Sequence, residues 1–308
     1  MINLRRLIKR KISNLRAKLN IGYSILNNRN VKTKEKFKKL LKESMIDVNK
    51  LTKDDWCYHK NIVTVYPRTT ILSFNPYKVV GCTRCGLEFR KKIPPPKHID
   101  RYNRLFTSGD YYFLGALPIF DKNGHFNKDI ILKNFIKHLE ILSINKYVNE
   151  PKRYLEIGCG VGFTVAMMQD WGFDAYGIDI SDWAVEYMKK ELGIKNAFKY
   201  HNLKEANFPD NFFGFIHLGH TIEHLINPID ILQEIYRILA KDGLLFFITP
   251  DPDLDKMTYY YKEHLYFFNE YTLRYWLNVL GYRNIEIYRD IGEKHIIESP
   301  SFIVLAKK

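Results

Sequence analysis

The chain has 308 residues, 46% hydrophobic and 27% charged, which gives one large domain or two modest ones ample core material. No apolar run reaches eighteen residues and charges interrupt every apolar group near the start, which excludes a spanning helix or a secretory leader there and sets the expectation of a cytoplasmic protein. The formal charge of +14 is unevenly spread: residues 1–60 hold 17 Lys and Arg against 5 Asp and Glu, whereas the rest holds 31 against 29, so a polyanion-binding surface is expected only of the N-terminal part.

From Met1 to about Asn20, Leu4, Ile8, Ile12, Leu15 and Leu19 recur at helical spacing among Arg and Lys. This predicts a basic amphipathic helix suited to peripheral contact with an anionic membrane or to packing on protein. Asn27–Asn30 breaks that helix, and a second charged helix is predicted over Thr33–Ser44. Ile62–Phe74 is rich in β-branched and aromatic residues, and Tyr77–Val80 leads into Gly81-Cys82-Thr83-Arg84-Cys85-Gly86. Short strands around such a turn predict a zinc-ribbon-like module, with structural zinc held by Cys82, Cys85, Cys57 and His59. The last pair has one intervening residue where two are usual, and the alternative is buried, reduced cysteines. Pro94–Pro96 marks a stiff connector, aromatics crowd 102–113 as core or as a substrate lid, and a helix is predicted from about Asn127 to Tyr147.

After Pro151 the pattern alternates. Strands are predicted at 153–159, 174–180, 197–201, 213–219 and 243–249, and helices at about 162–171, 181–192, 228–240 and 269–280. Two further strands, 282–289 and 301–307, follow with no helix between them. Such alternation gives an α/β, Rossmann-like, mostly parallel sheet, and the paired ending adds an antiparallel C-terminal strand.

Arg153–Gly162 reads as a strand running into a glycine turn and a helix. Asp179 lies 21 positions after Gly158 at the end of the next strand, where a carboxylate can take both hydroxyls of a ribose. Phe163 occupies the position where a nicotinamide-type fingerprint has glycine, which disfavours a dehydrogenase. The blocks LEIGCGVG (155–162), GIDIS (177–181), TIEHLINP (221–228), LQEIYRILAKDGLLFFITP (232–250) and EHLYFF (263–268) resemble the class I S-adenosylmethionine-dependent methyltransferases, in particular their small-molecule branch. The resemblance implies a Rossmann-like methyltransferase domain over 151–308. It assigns the cofactor's methionine half to Glu156, Gly158, Gly160 and Gly162, its ribose to Asp179 and its adenine to Asn202, which stands where the family usually has aspartate. The Cys82–Gly86 turn ahead of the domain is similar to the layout of some methyltransferases that act on sugars.

His220, Glu223 and His224 follow the fourth strand at the edge where such sheets bind ligands, and His264 follows the fifth. An alcohol acceptor needs a base, and His224, with Glu223 beside it and His264 nearby, is the candidate. The H-x-x-E-H spacing is also similar to the E-x-x-E-H of some metal-dependent O-methyltransferases, which implies a divalent metal at His220, Glu223, His224 and His264. The expected organisation is a basic helical segment (1–50), a zinc-ribbon-like module (51–98), an aromatic helical connector or lid (99–150) and the methyltransferase domain (151–308). The expected reaction is O-methylation of a small metabolite or sugar, for instance a surface-polysaccharide precursor. An RNA methyltransferase using the basic arm, transfer to carbon or nitrogen, and a non-enzymatic binding module are the alternatives.

Overall fold

The computed structural model describes residues 34–66, 78–92, 151–255, 258–259, 263–290 and 300–308, in two compact units. The readings made for the first helix, the Pro94–Pro96 connector, the 102–113 aromatics and the 127–147 helix lie outside the described residues. Among described residues, one unit takes those up to Ile46 with Cys57–Lys92, and the other takes Asp47–Trp56 with the C-terminal part.

In the smaller unit, helix α1 (34–44) accompanies the antiparallel strands β1 (Ile62–Tyr66), β2 (Val79–Cys82) and β3 (Glu88–Arg90). Phe37 is buried against Gly81, where an added Cβ would stand 2.5 Å from its ring. Lys34 and Glu88 form a buried ion pair, and Ser44 Oγ donates to the Thr83 carbonyl. The predicted second helix therefore belongs with the ribbon and not with a separate N-terminal segment. Residues 47–56, placed on either side of the expected boundary at 50, pack in the other unit instead. There Thr52 and Asp55 form a reciprocal cap, and Tyr275 donates to the Asp55 carbonyl (2.5 Å).

The larger unit carries seven strands in the order β10-β11-β8-β7-β4-β5-β6. They are β4 (Arg153–Ile157), β5 (Asp174–Asp179), β6 (Ala197–Lys199), β7 (Phe213–Gly219), β8 (Leu239–Pro250), β10 (Arg283–Asp290) and β11 (Ser301–Lys307); Tyr266–Phe267 forms the short β9. Strands β4 to β8 run parallel, and β11 inserts antiparallel between β8 and β10, as the helix-free ending predicts. The helices are α2 (Phe163–Asp170), α3 (Asp182–Lys190), α4 (Pro228–Ile238) and α5 (Glu270–Leu280). Local chemistry sets their starts: Ser181 accepts from the Ala184 N–H, Asn269 accepts from the Thr272 N–H, and Pro228 occupies the first turn of α4, where no N–H is missed. Most boundaries differ from expectation by no more than two residues, and the largest difference is at the α4–β8 junction. Helix α4 ends at Ile238 and β8 begins at Leu239, because Leu239 pairs with Phe213 before Asp242, at φ +61°, bulges the strand. The core beneath α2 and α3 joins Tyr154, Val165, Met168, Met188, Phe215 and Phe246.

Candidate active site

Strand β4 stops at Ile157 and the chain turns through glycines at positive φ. The Gly158 and Cys159 amides both donate to the Ile178 carbonyl (2.8 and 3.1 Å), which ties the turn to β5. Gly158, at φ +73°, has no room for a side chain, since an added Cβ would lie 2.4 Å from Thr221 Oγ1. Thr221 is held by its own bond to the Gly219 carbonyl (3.1 Å). The loop after β7 therefore closes directly onto the glycine turn. Helix α2 starts directly after Gly162, at φ +78°, with no side-chain cap at that position.

Two carboxylates flank this turn. Asp179 accepts from the Gly160 amide (2.8 Å) and the Ser181 amide (2.8 Å). Burial raises its pKa against those two donors, and the charge of Glu156 adds to the rise. Glu156 is buried, with Oε1 3.3 Å from His217 Nδ1 and Oε2 without a hydrogen-bond partner among the described residues. Two coupled acids at a glycine turn repel the pyrophosphate of a dinucleotide and suit a cationic ligand. Cys159 packs its sulfur 3.5 Å from Met188 Sδ, in the packing role its small size suggests, and burial raises its pKa. Asn202 is exposed after β6. Its Oδ1 accepts from the Lys204 amide (3.1 Å), so the acceptor expected to meet adenine already serves the backbone.

At the carboxyl end of β7, His220 takes φ +49°, a costly conformation for a side chain of this kind, and the turn Ile222–His224 follows. Glu223 is buried, with Oε1 3.6 Å from His220 Nδ1 and 3.9 Å from His224 Nε2. Thr249, at the end of β8, donates to Glu223 Oε2 (3.2 Å). Burial opposes its ionisation, yet His220, His224 and His264 outweigh that and bring Glu223 to about 2. The His224 and His264 rings meet edge to face at 4.8 Å. Thr258 Oγ1 lies 2.7 Å from His264 Nδ1, and the Leu265 amide donates to the Glu223 carbonyl (2.8 Å), fixing the following loop to the turn. The ligand atoms of Glu223, His224 and His264 all lie within 4.8 Å of one another. His220 stands beside Glu223 but outside that three-residue cluster. Sequence reasoning missed Thr221, Thr249 and Thr258, because a hydroxyl's partner across the sheet leaves no trace in local spacing. His217 had a signal: it is a polar residue inside the apolar run of β7.

The smaller unit brings Cys57, His59, Cys82 and Cys85 together, with ligand atoms within 4.8 Å of one another. Cys57 Sγ lies 3.5 Å from Cys82 Sγ and 3.7 Å from His59 Nδ1, and Cys85 Sγ lies 3.4 Å from His59 Nδ1. Bond lengths of about 2.3 Å to sulfur and 2.0–2.1 Å to nitrogen give tetrahedral edges of roughly 3.5–3.8 Å, so these four donors fit zinc. The short Cys57–His59 spacing works because His59 adopts φ +52°, which turns its ring back to the cysteines. Burial works against a charged His59, but the Cys57 and Cys82 sulfurs outweigh it and raise the imidazole to about 9.

Sheet order, glycine turn and flanking acids define a nucleotide-type α/β domain of the class I methyltransferase kind. The family model for the methyltransferase domain matches residues 131–287, and the chain belongs to that family. S-adenosylmethionine is the cofactor of this class. A structure titled as an S-adenosylmethionine-dependent methyltransferase from Archaeoglobus fulgidus has the same fold, with TM-score 0.51 and 18% identity over 65% of this chain and 100% of that one. A Schizosaccharomyces pombe methyltransferase is 29% identical over 136 residues, which are 39% of this chain and 46% of that protein. A demethylmenaquinone methyltransferase of Geobacillus kaustophilus is 26% identical over 41% of this chain and 58% of that protein. A ubiquinone biosynthesis O-methyltransferase of Actinobacillus pleuropneumoniae is 29% identical over 46% of this chain and 64% of that protein. The chain thus spans about half the length of the curated relatives it matches. No described helix is long and apolar enough to cross a membrane.

Proposed function

We propose that this protein transfers a methyl group from S-adenosylmethionine to an oxygen atom of a small metabolite or sugar, with His224 taking the acceptor's proton. When bound, the cofactor supplies an activated methyl group on a sulfonium. Gly158, Gly160 and Gly162 would let the backbone approach its methionine half, Glu156 and Asp179 would complement its cationic and ribose groups, and Asn202 would meet its adenine. The observation that carries the oxygen assignment is the buried Glu223 carboxylate set between imidazoles, beside a loop whose Thr221 touches the glycine turn. The buried Glu223 carboxylate, 3.9 Å from His224 Nε2, lies where it would stabilise the imidazolium formed when the acceptor O–H gives up its proton. The relatives' names span transfer to oxygen and to carbon, the latter in a sterol 24-C-methyltransferase of S. pombe, so the choice of oxygen rests on the candidate base alone.

The clustering of Glu223, His224 and His264 favours a second reading, a divalent cation held by these three that orients the acceptor oxygen. Zinc at Cys57, His59, Cys82 and Cys85 has a structural part in our proposal. The experiment is methyl transfer from labelled cofactor to a panel of alcohols, phenols and sugar nucleotides, with RNA as a control, and products identified by mass. His224→Ala should lower turnover by about 10²–10⁴-fold with cofactor affinity unchanged. Loss of turnover on chelation, mimicked by Glu223→Gln and His264→Ala, would replace the base with the cation. Turnover indifferent to both would refute the oxygen assignment.

A further inference from the structure

Strands β4 and β7 place a buried polar group in the middle of the sheet. Glu156 and His217 are register partners, and Phe246 is the partner of His217 on the other side. All three lie on the face that carries Tyr154, and the His217 ring stacks on Phe246 (5.0 Å between centroids). His217 Nδ1 is 3.0 Å from the Tyr154 hydroxyl and 3.3 Å from Glu156 Oε1. A proton on Nδ1 is the tautomer that avoids two acceptors facing each other, and it makes the imidazole a donor to Glu156. Burial first, and then the Glu156 charge, keeps the Tyr154 hydroxyl protonated, and its hydrogen bond to Glu156 makes it a second donor to that carboxylate. Burying three polar side chains in a core costs stability unless each is satisfied, and here the Oε2 of Glu156 has no hydrogen-bond partner among the described residues. That atom sits two residues before Gly158, where the glycine turn begins.

We infer that His217 and Tyr154 form a positioning pair that fixes Glu156 through Oε1 so that Oε2 meets the ammonium group of the cofactor's methionine half. The inference rests on the cofactor reading given above. A pinned carboxylate presents a fixed acceptor with no rotamer to freeze on binding, which is the physical benefit of holding one oxygen and leaving the other. Both side chains are buried in the sheet, so the pair is a positioning pair that acts on the cofactor through Glu156.

The test is calorimetry on the full-length protein with two ligands. S-adenosylhomocysteine carries the amino-acid tail, and 5′-methylthioadenosine carries the nucleoside without it. His217→Phe keeps the stacking on Phe246 and removes the donor. It should weaken S-adenosylhomocysteine by about tenfold, the effect of losing one hydrogen bond to a charged group, with methylthioadenosine unchanged. His217→Asn, with an amide nitrogen in place of Nδ1, should restore most of the affinity. Tyr154→Phe, which deletes one oxygen and leaves the ring, should show the same selectivity more weakly even if His217→Phe folds poorly. Equal weakening of both ligands, or none, would overturn the inference while the cofactor reading stands. A wild-type protein that binds neither ligand would overturn the cofactor reading and this inference with it.

Discussion

Replacing Gly158 by alanine puts a methyl group into space that Thr221 fills. The new Cβ would lie 2.4 Å from Thr221 Oγ1, 2.7 Å from Cγ2 and 3.1 Å from Cβ, on a backbone at φ +73°. The left-handed conformation costs a non-glycine residue about 1–2 kcal/mol, and overpacking typically adds about 1–3 kcal/mol. The two together give a loss of about 2–5 kcal/mol in unfolding free energy. Thr221→Ala deletes the two nearest atoms and leaves the Cβ at 3.1 Å, a contact that a shift of a few tenths of an ångström relieves. In the double variant the steric part should therefore largely vanish and the backbone part persist. The assay is urea denaturation of all four proteins, read as midpoints at constant slope, with the double-mutant cycle giving the coupling. A coupling of about 1–3 kcal/mol is expected, with cofactor affinity recovering in parallel. Strictly additive losses, or a Gly158→Ala protein as stable as wild type, would refute the packing of the β7 loop against the glycine turn.

Asp179→Ala removes the acceptor for the Gly160 and Ser181 amides as well as the expected ribose ligand, so cofactor affinity should fall by at least roughly tenfold by calorimetry. Burial raises the Asp179 pKa in the free protein, so its ionised form is the disfavoured one there, and stability from its protonated form is lost as pH rises through that raised pKa. A cationic ligand favours the ionised form. Affinity should therefore fall as pH is lowered through the range above the ordinary carboxylate value, with proton release on binding, and Asp179→Asn should flatten the profile; a pH-independent wild type would contradict this. The purified chain should contain about one zinc, and Cys82→Ser should lose it and raise amide exchange in the 57–92 ribbon while cofactor binding persists. A fully folded, metal-free ribbon would count against zinc.

The α/β architecture was legible in the sequence because its signals are local. Strand runs alternate with helical runs after Pro151. The glycine turn and Asp179 were legible for the same reason: a sharp turn at positive φ and a carboxylate at a strand end are properties of a short segment. So was the His224–Glu223 pair, adjacent in the chain. The helix–strand junction at 238–243 was misread because the pairing of Leu239 with Phe213, a contact across the sheet, overrides the helical spacing that runs on to Ala240.

What the sequence determined by itself is therefore the set of chemical groups and the elements that carry them. Only the tertiary structure decided which of them meet. It turned His59 back onto Cys57 through a left-handed residue, which no spacing rule anticipates. It assigned α1 to the ribbon through Phe37 and Gly81, 44 positions apart in the chain. It set Glu156 against His217 and Tyr154, and Glu223 against Thr249 and His264, because strand register selects the neighbours of a buried side chain. Periodicity reports which face of an element is buried, and only the pairing of strands reports what that face is buried against.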